Sequence, residues 1–515
     1  MILSVVLVLV AVIWTVQYRF RRRRMYELAS KISHPKDELP LIGVTHKLIG
    51  STEIIMKTLK QFSYEAMETD DGVIRAWLNH ILYFAMVNPE DLEIVLKTCL
   101  EKDDLNRFMR NFMGNGSAFA PVSIWRRRRK ILIPAFSPKI IENYVEIFSE
   151  QSQHITHKVA RMCGSGTVNL WPIVSAYSLD AVCESTAGVK IYAQSKANSH
   201  FLTFVEEILN IICERMGNLW LHPDWVFRLS PKYTKYQKCA QYIHDFTDEI
   251  INNKRKELKN DKQRTCDNDN SPYDLGDYKN KSFLELLIHL SGGEKGYTDL
   301  ELREEILTII MAGTDTSAVG MAFTLILLGK YPDIQQKVYE ELKEVFGDSN
   351  RPLVKEDLPK LKYLERVVKE SFRLFPPVPF ILRKVEKEIT LPSGVTIPSG
   401  SGIFVSIFGA HRDPKYWGPD AEHFDPDRFL PERFNLQHAC SYMPFSYGPR
   451  NCVGYQYAFQ SIKTALTSIL RNYKVIGEPE KGPIPNIRVK VDIMLKAAEG
   501  YYVKFEKRKP CLLKE

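Results

Sequence analysis

The sequence predicts one large, mainly α-helical domain with a small β-sheet region, preceded by an N-terminal membrane anchor. Three observations predict this fold class. Of the 515 residues, 44% are hydrophobic and 26% are charged, which is typical of a globular protein with a sizeable core. Apolar residues recur at three- and four-residue steps along most of the chain, which indicates amphipathic helices. The first 18 residues are mostly apolar, and arginines follow them at once.

The N-terminal segment has the charge pattern of an anchor. Residues 2–16 are apolar apart from Ser4 and Thr15, and a run of arginines occupies 21–24. This segment is somewhat shorter than the roughly 20 apolar residues that span a bilayer. A cleaved signal peptide is the alternative, but its positive charge would precede the apolar core. Because positive charge stays on the cytoplasmic side, we expect an uncleaved single-span anchor and a cytosolic domain.

The domain boundaries follow from this pattern. We expect the transmembrane anchor over residues 1–18, a basic and proline-containing linker over 19–40, and one domain over 41–515. The polar stretch 260–281 is predicted to be a surface loop rather than a second linker. Helical periodicity predicts helices at 54–67, 140–162, 201–216, 233–258, 282–290, 299–329, 332–346 and 361–374. Strands are predicted within 389–397 and 402–408.

Charge and cysteine content exclude some classes of function. A net charge of +8 is modest for this length, so we expect no nucleic-acid partner. The nine cysteines are odd in number and lack the spacing of a zinc or redox motif. Free thiols in a reducing compartment are therefore expected.

The most informative local pattern is Phe-Ser-Tyr-Gly-Pro-Arg-Asn-Cys-Val-Gly at residues 445–454. Gly448 permits a tight turn, and Gly454 lets the backbone approach a flat ligand closely. Cys452 stands at the start of a predicted helix, where free N–H groups and the helix dipole favour a thiolate. A thiolate on iron pushes electron density towards bound oxygen. A buried structural cysteine in a glycine-rich turn is the alternative.

This stretch resembles the haem-binding loop of the cytochrome P-450 superfamily, Phe-x-x-Gly-x-Arg-x-Cys-x-Gly. The matching residues are Phe445, Gly448, Arg450, Cys452 and Gly454. The resemblance extends over residues 41–505, and it implies the cytochrome P-450 fold for the domain. It also implies a haem b cofactor, with Cys452 as the axial ligand to the iron and Phe445 and Gly454 beside the haem.

Glu370 and Arg373 match the family's Glu-x-x-Arg motif. Residues three apart share a helix face and can pair, although such pairs are common on any helix surface. In the family the pair is buried and is completed by an arginine from a later segment. By resemblance Arg428 is that third residue, with Arg433 in a similar motif as the alternative. The implied role is structural, because the three residues hold the loop that carries Cys452.

The run Ala-Gly-Thr-Asp-Thr-Ser at 312–317 lies inside the long apolar helix. A contact between small residues with an ordinary threonine is the alternative, but a buried Asp315 is costly without a purpose. The run resembles the family's oxygen-activating helix. By that resemblance Gly313 leaves room for oxygen over the haem, and Thr316 with Asp315 is catalytic, delivering protons to the distal oxygen.

Four further residues resemble the family's ligands for the haem propionates. Trp125 and Arg129 match Trp-x-x-x-Arg, although the basic run 126–130 offers other arginines nearby. Arg383 and Arg450 match two other propionate-binding positions. Arginine suits this role because its planar guanidinium offers several donors.

The segments 302–306 and 411–414 are most similar to the microsomal group of fatty-acid hydroxylases and insect relatives, the family-four-like group. Many members of that group have glutamate in place of Ala312 and use it to bond covalently to the haem. The sequence therefore predicts a non-covalent haem, and this change argues against terminal hydroxylation of fatty acids. By resemblance, the substrate pocket is lined by residues 105–121, 201–220, 377–382 and 499–503.

The resemblance implies a monooxygenase of the endoplasmic reticulum membrane that inserts one oxygen atom from O2 into a lipophilic substrate. Electrons would come from NADPH through a separate flavoprotein, the NADPH–cytochrome reductase, because the chain has no nucleotide-binding fingerprint. A donor of the cytochrome b type is a further expected partner. A hydroperoxide isomerase or lyase of the same fold is one alternative, against which Thr316 argues. A non-catalytic haem sensor or carrier is the other.

Overall fold

The computed structural model describes residues 2–195, 200–264, 282–291, 297–434 and 438–508. Helices make up most of this part of the chain, and the predicted mainly α-helical single domain with small sheets is confirmed. The helices are α1 Ile2–Arg21, α2 Arg23–Ala29, α3 Thr52–Met67, α4 Pro89–Thr98, α5 Arg107–Met113, α6 Val122–Ala135, α7 Pro138–Met162, α8 Trp171–Val182, α9 His200–Gly217, α10 Asp224–Leu229, α11 Pro231–Arg264, α12 Phe283–His289, α13 Asp299–Lys330, α14 Pro332–Phe346, α15 Lys362–Leu374, α16 Ile407–Ala410, α17 Pro414–Trp417 and α18 Tyr455–Asn472.

Short strands form small sheets beside the helices. The strands are β1 Val73–Leu78, β2 Ile81–Met86, β3 Val168–Asn169, β4 Phe380–Lys384, β5 Ile389–Thr390, β6 Thr396–Ile397, β7 Gly402–Ser406, β8 Tyr473–Ile476, β9 Val489–Asp492, β10 Met494–Ala497 and β11 Tyr502–Lys507. The largest sheet has the order β1-β2-β7-β4, in which β2 and β7 are parallel. A second sheet has the order β3-β11-β8, and β9–β10 and β5–β6 are antiparallel pairs.

Helix α13 packs against α8, α11, α15 and α18 and is buried along most of its length. A reciprocal cap fixes its start, since Thr298 Oγ1 accepts the Glu301 N–H (3.2 Å) and Glu301 Oε2 accepts the Thr298 N–H (3.0 Å). By length and composition alone it could also cross a membrane. Because 83% of the most apolar stretch of α13 is buried inside the protein, it is a core helix.

The segment predicted as a linker, residues 19–40, packs on the domain over much of its length. Met25, Ala29 and Ile32 are buried in the same hydrophobic cluster as the largest sheet. The Tyr26 ring stacks on Trp77 of β1 with 5.1 Å between the ring centroids. Residues 23–32 of the predicted linker therefore pack on the domain, because their apolar side chains reach its hydrophobic core.

The predicted helices all form, with ends within a few residues of the predicted ones except in α11. Helix α11 continues through Arg264, into the stretch predicted as a polar loop. Its last five residues are polar but mostly long side chains that favour a helix, so it extends beyond the apolar pattern. The rest of that predicted loop, 265–281, lies outside the described residues.

Candidate active site

An apolar cavity of about 240 Å³ lies between α13 and the loop that precedes α18. Ala312, Gly313 and Thr316 of α13 form one wall, and Cys452 and Gly454 lie in the loop that forms another. The remaining walls include Phe136, Val182, Thr186, Phe372, Pro377, Val378, Ile381, Ile407, Phe445 and Tyr457. Almost all of this surface is apolar, so the cavity suits a large apolar ligand.

The loop that carries Cys452 is held by its own backbone. The Cys452 N–H donates to the Phe445 carbonyl (2.9 Å), and the Asn451 N–H donates to the Gly448 carbonyl (3.1 Å). Gly448 has a φ of +74°, and a Cβ there would lie 2.6 Å from the Leu96 carbonyl oxygen. Only glycine meets both constraints, which accounts for the tight turn that the sequence predicts.

The Cys452 thiol lies inside the protein, and among the described cysteines it alone is exposed, because its surface faces the cavity. Burial by the surrounding protein raises its pKa, whereas the Gly454 N–H and the charge of Arg129 lower it. Helix α18 begins only at Tyr455, so Cys452 lies ahead of the helix rather than in its first turn. The Gly454 N–H, not the helix itself, is thus the nearest donor for a thiolate.

A group of buried cations lies beside the cavity. The Arg450 guanidinium lies 4.7 Å from the centre of the Trp125 ring, and Arg383 is 1% exposed. Burial and the charge of Arg450 lower the pKa of Arg383 to about 10, and burial lowers that of Arg450 to about 10. Burial and these two arginines also hold the pKa of Lys102 well below its ordinary value. No sequence pattern pointed to Lys102, which stands in an ordinary charged run.

Several nitrogens of these cations have no partner among the described residues. They are Arg450 Nε and Nη1, Arg383 Nε and Arg129 Nε. Buried donors without acceptors are costly, and buried like charges repel each other. A ligand with two carboxylates would satisfy both needs. The cations and the apolar cavity with its thiol therefore fit a haem, whose propionates would meet the cations.

The basic run on α6 divides between two roles. Arg129 donates to the Asn451 carbonyl (2.7 Å) and to Asn451 Oδ1 (2.6 Å), and so it ties α6 to the ligand loop. Arg128 is turned the other way and is 3% exposed. It pairs with three carboxylates at the start of α13, Glu301 (3.3 Å), Glu304 (3.0 Å) and Glu305 (3.2 Å).

The hydroxyl of Thr316 lies at the cavity wall and donates to the Ala312 carbonyl one turn earlier (2.6 Å). A Cβ on Gly313 would lie 2.7 Å from Val182 Cγ2 of α8. Glycine at 313 therefore allows α13 and α8 to approach closely, and it places no side chain at the cavity wall. Ala312 presents only a methyl group to the cavity, with no carboxylate for a covalent bond to the haem.

Asp315 is not among the described residues that line the cavity. Its carboxylate pairs with the Lys496 ammonium of β10, and both side chains are buried. The Lys496 Nζ lies 3.5 Å from the centre of the Trp171 ring. Asp315 Oδ2 has no partner within the described part of the chain. Thr316 thus faces the cavity, whereas Asp315 points away from it and forms an ion pair with Lys496 that the sequence did not indicate.

Glu370, Arg373 and Arg428 come together in the interior. Arg373 pairs with Glu370 through two hydrogen bonds (2.7 and 2.8 Å), and both residues are 0% exposed. Arg428 Nε lies 3.7 Å from Glu370 Oε1, and Arg428 also pairs with Asp420 (2.8 Å). The alternative, Arg433, is about half exposed and pairs with Asp425 instead.

His411 links this group to the ligand loop. Its Nε2 accepts the Met443 N–H (2.8 Å), and its Nδ1 lies 3.2 Å from the Arg373 carbonyl oxygen. Burial, together with the charges of Arg373 and Arg412, lowers the pKa of His411 to about 3. His411 is therefore neutral, with the proton on Nδ1, and it connects the buried arginine to the backbone two residues before Phe445.

Of the segments expected to line the pocket, 377–382 contributes Pro377, Val378 and Ile381. The other three segments, 105–121, 201–220 and 499–503, contribute none of the described residues around this cavity. Side chains such as Phe108, Phe112 and Phe201 are instead packed into the hydrophobic core. The cavity at Cys452 is thus formed by the elements nearest the ligand loop.

Comparison with known proteins agrees with this geometry. The family model of cytochrome P450 matches residues 34–505. The cytochrome P450 4c3 of Drosophila melanogaster is 32% identical over 503 residues, which cover 93% of this chain and 92% of that protein. The cytochrome P450 4V2 of Homo sapiens is 30% identical over 478 residues, covering 91% and 90%. The cytochrome P450 4d2 of Drosophila melanogaster is 33% identical over 444 residues, covering 84% and 86%.

The expected resemblance to the family-four-like group is confirmed by these relatives. Members of the family are haem monooxygenases with a cysteine thiolate on the iron, and they depend on a redox partner. In this chain the haem is non-covalent, in agreement with Ala312 at the cavity wall. An apolar cavity with one thiol, a cluster of buried cations and a matching sequence over nearly its whole length together place this chain in the cytochrome P450 family.

Proposed function

We propose that the chain oxidises a lipophilic substrate in the cavity at Cys452, with this thiolate as the axial ligand of the haem. The observation that supports the proposal best is the position of the thiol, which opens into an apolar cavity near buried arginines with guanidinium nitrogens that have no hydrogen-bond partner among the described residues. When bound, the haem iron supplies the activation of molecular oxygen. The apolar walls would exclude water and favour an apolar substrate.

The cations would orient the haem. Arg383 and Arg450, with unpaired guanidinium nitrogens, would bind the propionates, and the Trp125 ring would support Arg450. Lys102 would add a third positive charge. Arg129, already bonded to Asn451, would keep the ligand loop close to the propionate side.

Thr316 would carry the proton at the cavity wall, because its hydroxyl lines the cavity one turn after Ala312. Asp315 would supply that proton from behind. Its Oδ1 is held by Lys496, and its Oδ2, which has no partner among the described residues, would accept a hydrogen bond from a water that passes the proton on to Thr316.

The electrons would come from NADPH through a separate NADPH–cytochrome reductase, with a donor of the cytochrome b type as a second source. We propose that α1 anchors the chain in the endoplasmic reticulum membrane as a single span, with the domain in the cytosol. Helix α1 is continuous from Ile2 to Arg21, and its side chains Leu7, Val10, Ile13 and Trp14 are exposed. Exposed apolar side chains followed by arginines fit a membrane span.

The ligand role is tested by Cys452→Ser in the full chain. The ferrous carbon monoxide complex should lose the Soret band of a thiolate-ligated haem. Cys440→Ser is the matched control, because Cys440 is buried, lies twelve residues earlier and does not line the cavity. A band that is unchanged in Cys452→Ser would end the proposal.

The proton role is tested by Thr316→Ala with NADPH, reductase and a panel of lipophilic substrates. Thr324→Ala is the matched control, since Thr324 bonds the Gly320 carbonyl (2.7 Å) on the same helix in the same way. We expect Thr316→Ala to divert NADPH oxidation from product to peroxide while Thr324→Ala does not. Equal coupling in both variants would contradict the role of Thr316 and favour the haem sensor.

A further inference from the structure

A second group of polar side chains lies behind the ligand loop, with Glu93 of α4 at its centre. Glu93 Oε1 accepts hydrogen bonds from Lys97 Nζ (2.5 Å) and from the Tyr447 hydroxyl (3.2 Å). Glu93 Oε2 accepts one from His438 Nε2 (2.8 Å). Because His438 and Tyr447 stand at the two ends of the segment that leads to Cys452, one carboxylate ties both ends to α4.

The hydrogen bonds of His438 indicate which of its ring nitrogens donates. The Cys440 N–H donates to His438 Nδ1 (3.1 Å), so that nitrogen carries no proton. The proton is therefore on Nε2, where it is donated to Glu93. His438 thus links the carboxylate to the backbone at the start of the 3-10 turn Ala439–Ser441.

Helix α4 is a rigid support for these contacts. Its residues Leu92 and Leu96 are fully buried, and Asp91 accepts the Ser393 N–H (3.0 Å) and hydroxyl (2.6 Å). The backbone at Gly448 lies directly on the end of α4, next to the Leu96 carbonyl. Hydrogen bonds from Lys97 and His438 lower the pKa of the Glu93 carboxyl to about 2, so the carboxylate stays ionised.

We propose that Glu93 is a positioning residue for the axial ligand, holding the segment from His438 to Tyr447 so that the Cys452 sulfur stays on the iron. Glu93 touches neither the cavity nor the thiol and acts through the loop. This inference rests on the proposed ligand role of Cys452.

The test uses the haem-loaded full chain, reduced and saturated with carbon monoxide. In urea below the unfolding transition, Glu93→Ala should lose the thiolate Soret band about tenfold faster than the wild type, which corresponds to about 1.4 kcal/mol. Tyr447→Phe, which removes one hydroxyl, should show a smaller acceleration in the same direction. Glu90→Ala is the control, because Glu90 is exposed on the same helix and has no described contact with the loop.

Helical circular dichroism is recorded alongside the band. The inference is overturned if Glu93→Ala accelerates loss of the band no more than Glu90→Ala does. It is also overturned if Glu93→Ala accelerates loss of the helical signal as much as loss of the band. Should Glu93→Ala fail to fold, Tyr447→Phe decides between the same outcomes. A wild-type protein without the thiolate band would instead overturn the role of Cys452, and with it this inference, which distinguishes the two failures.

Discussion

The buried ion pair between Asp315 and Lys496 lends itself to a quantitative test. Both side chains are at most 7% exposed, so removing one partner leaves a charge in the interior. Loss of one member of a buried pair costs about 3–5 kcal/mol of unfolding free energy. We therefore expect Lys496→Met to destabilise the protein by about this amount.

Removing the other partner, the Asp315 carboxylate, should cost less unfolding free energy. In Asp315→Asn the Lys496 ammonium keeps the Trp171 ring at 3.5 Å, a contact that contributes up to about 2 kcal/mol when desolvated. Glu206 also lies close enough for the charge of Lys496 to lower its pKa, although burial raises it overall. Asp315 has no comparable second partner among the described residues. We expect Asp315→Asn to lose about 1–3 kcal/mol, consistent with a lysine that remains partly compensated.

The assay is urea unfolding of the haem-loaded protein for the wild type, both single variants and the double variant. Because the two groups compensate each other, the double variant should be less destabilised than the sum of the single variants, by about 1.5–3 kcal/mol. Additive effects within about 0.5 kcal/mol would show that the ion pair contributes no coupling. Equal losses in the two single variants would refute the role given to Trp171.

Three further outcomes follow from the interior contacts. Glu370→Gln should cost about 3–5 kcal/mol in urea unfolding, because it leaves Arg373 buried without a counterion; a loss below about 1 kcal/mol would contradict this. Gly448→Ala should destabilise far more than Gly394→Ala, since both have positive φ but only a Cβ at 448 meets backbone, at 2.6 Å. The haem should pass completely into acidified organic solvent, because Ala312 offers no carboxylate; haem retained on the protein would refute a non-covalent site.

Much of the fold could be predicted because its long helices have either a clear helical period of apolar residues or a long apolar sequence. Helix α13 has both a capping box and an apolar sequence, and its predicted and observed ranges differ by one residue at the end. The strands β1 to β4 and β8 to β11 were missed, because each is six residues or shorter and several pair only with distant parts of the chain. In β11, for example, Lys504 pairs with Ile476 of β8, and Val503 pairs with Val168 of β3.

At the site, residues with a local motif were predictable and residues with only a spatial role were not. Gly448 and Cys452 lie within one short loop pattern, and the structure places both in that loop. Lys496 lies 181 residues from Asp315 in the sequence, and no local sequence pattern predicts a contact over such a separation. His411 lies in the segment 411–414 that resembles the family-four-like group, but the sequence did not predict its role. Its hydrogen bond from the Met443 N–H depends on the packing of two loops that are distant in the sequence.

The position of Lys102 among buried cations gives the stability of the protein a characteristic pH dependence. Burial and the charges of Arg383 and Arg450 place its pKa in the folded chain well below that in the unfolded chain, which is about 10.4. Between these two values the unfolded chain binds more protons, so stability rises with pH. In haem-free protein, Lys102→Met should therefore stabilise at pH 7, and this advantage should shrink towards pH 10. With haem bound, the propionates would favour the charged lysine, and Lys102→Met should destabilise at pH 7. Thermal unfolding of both forms, with the exposed Lys130→Met as control, checks this reversal of sign. The same sign with and without haem would show that Lys102 does not face the propionates.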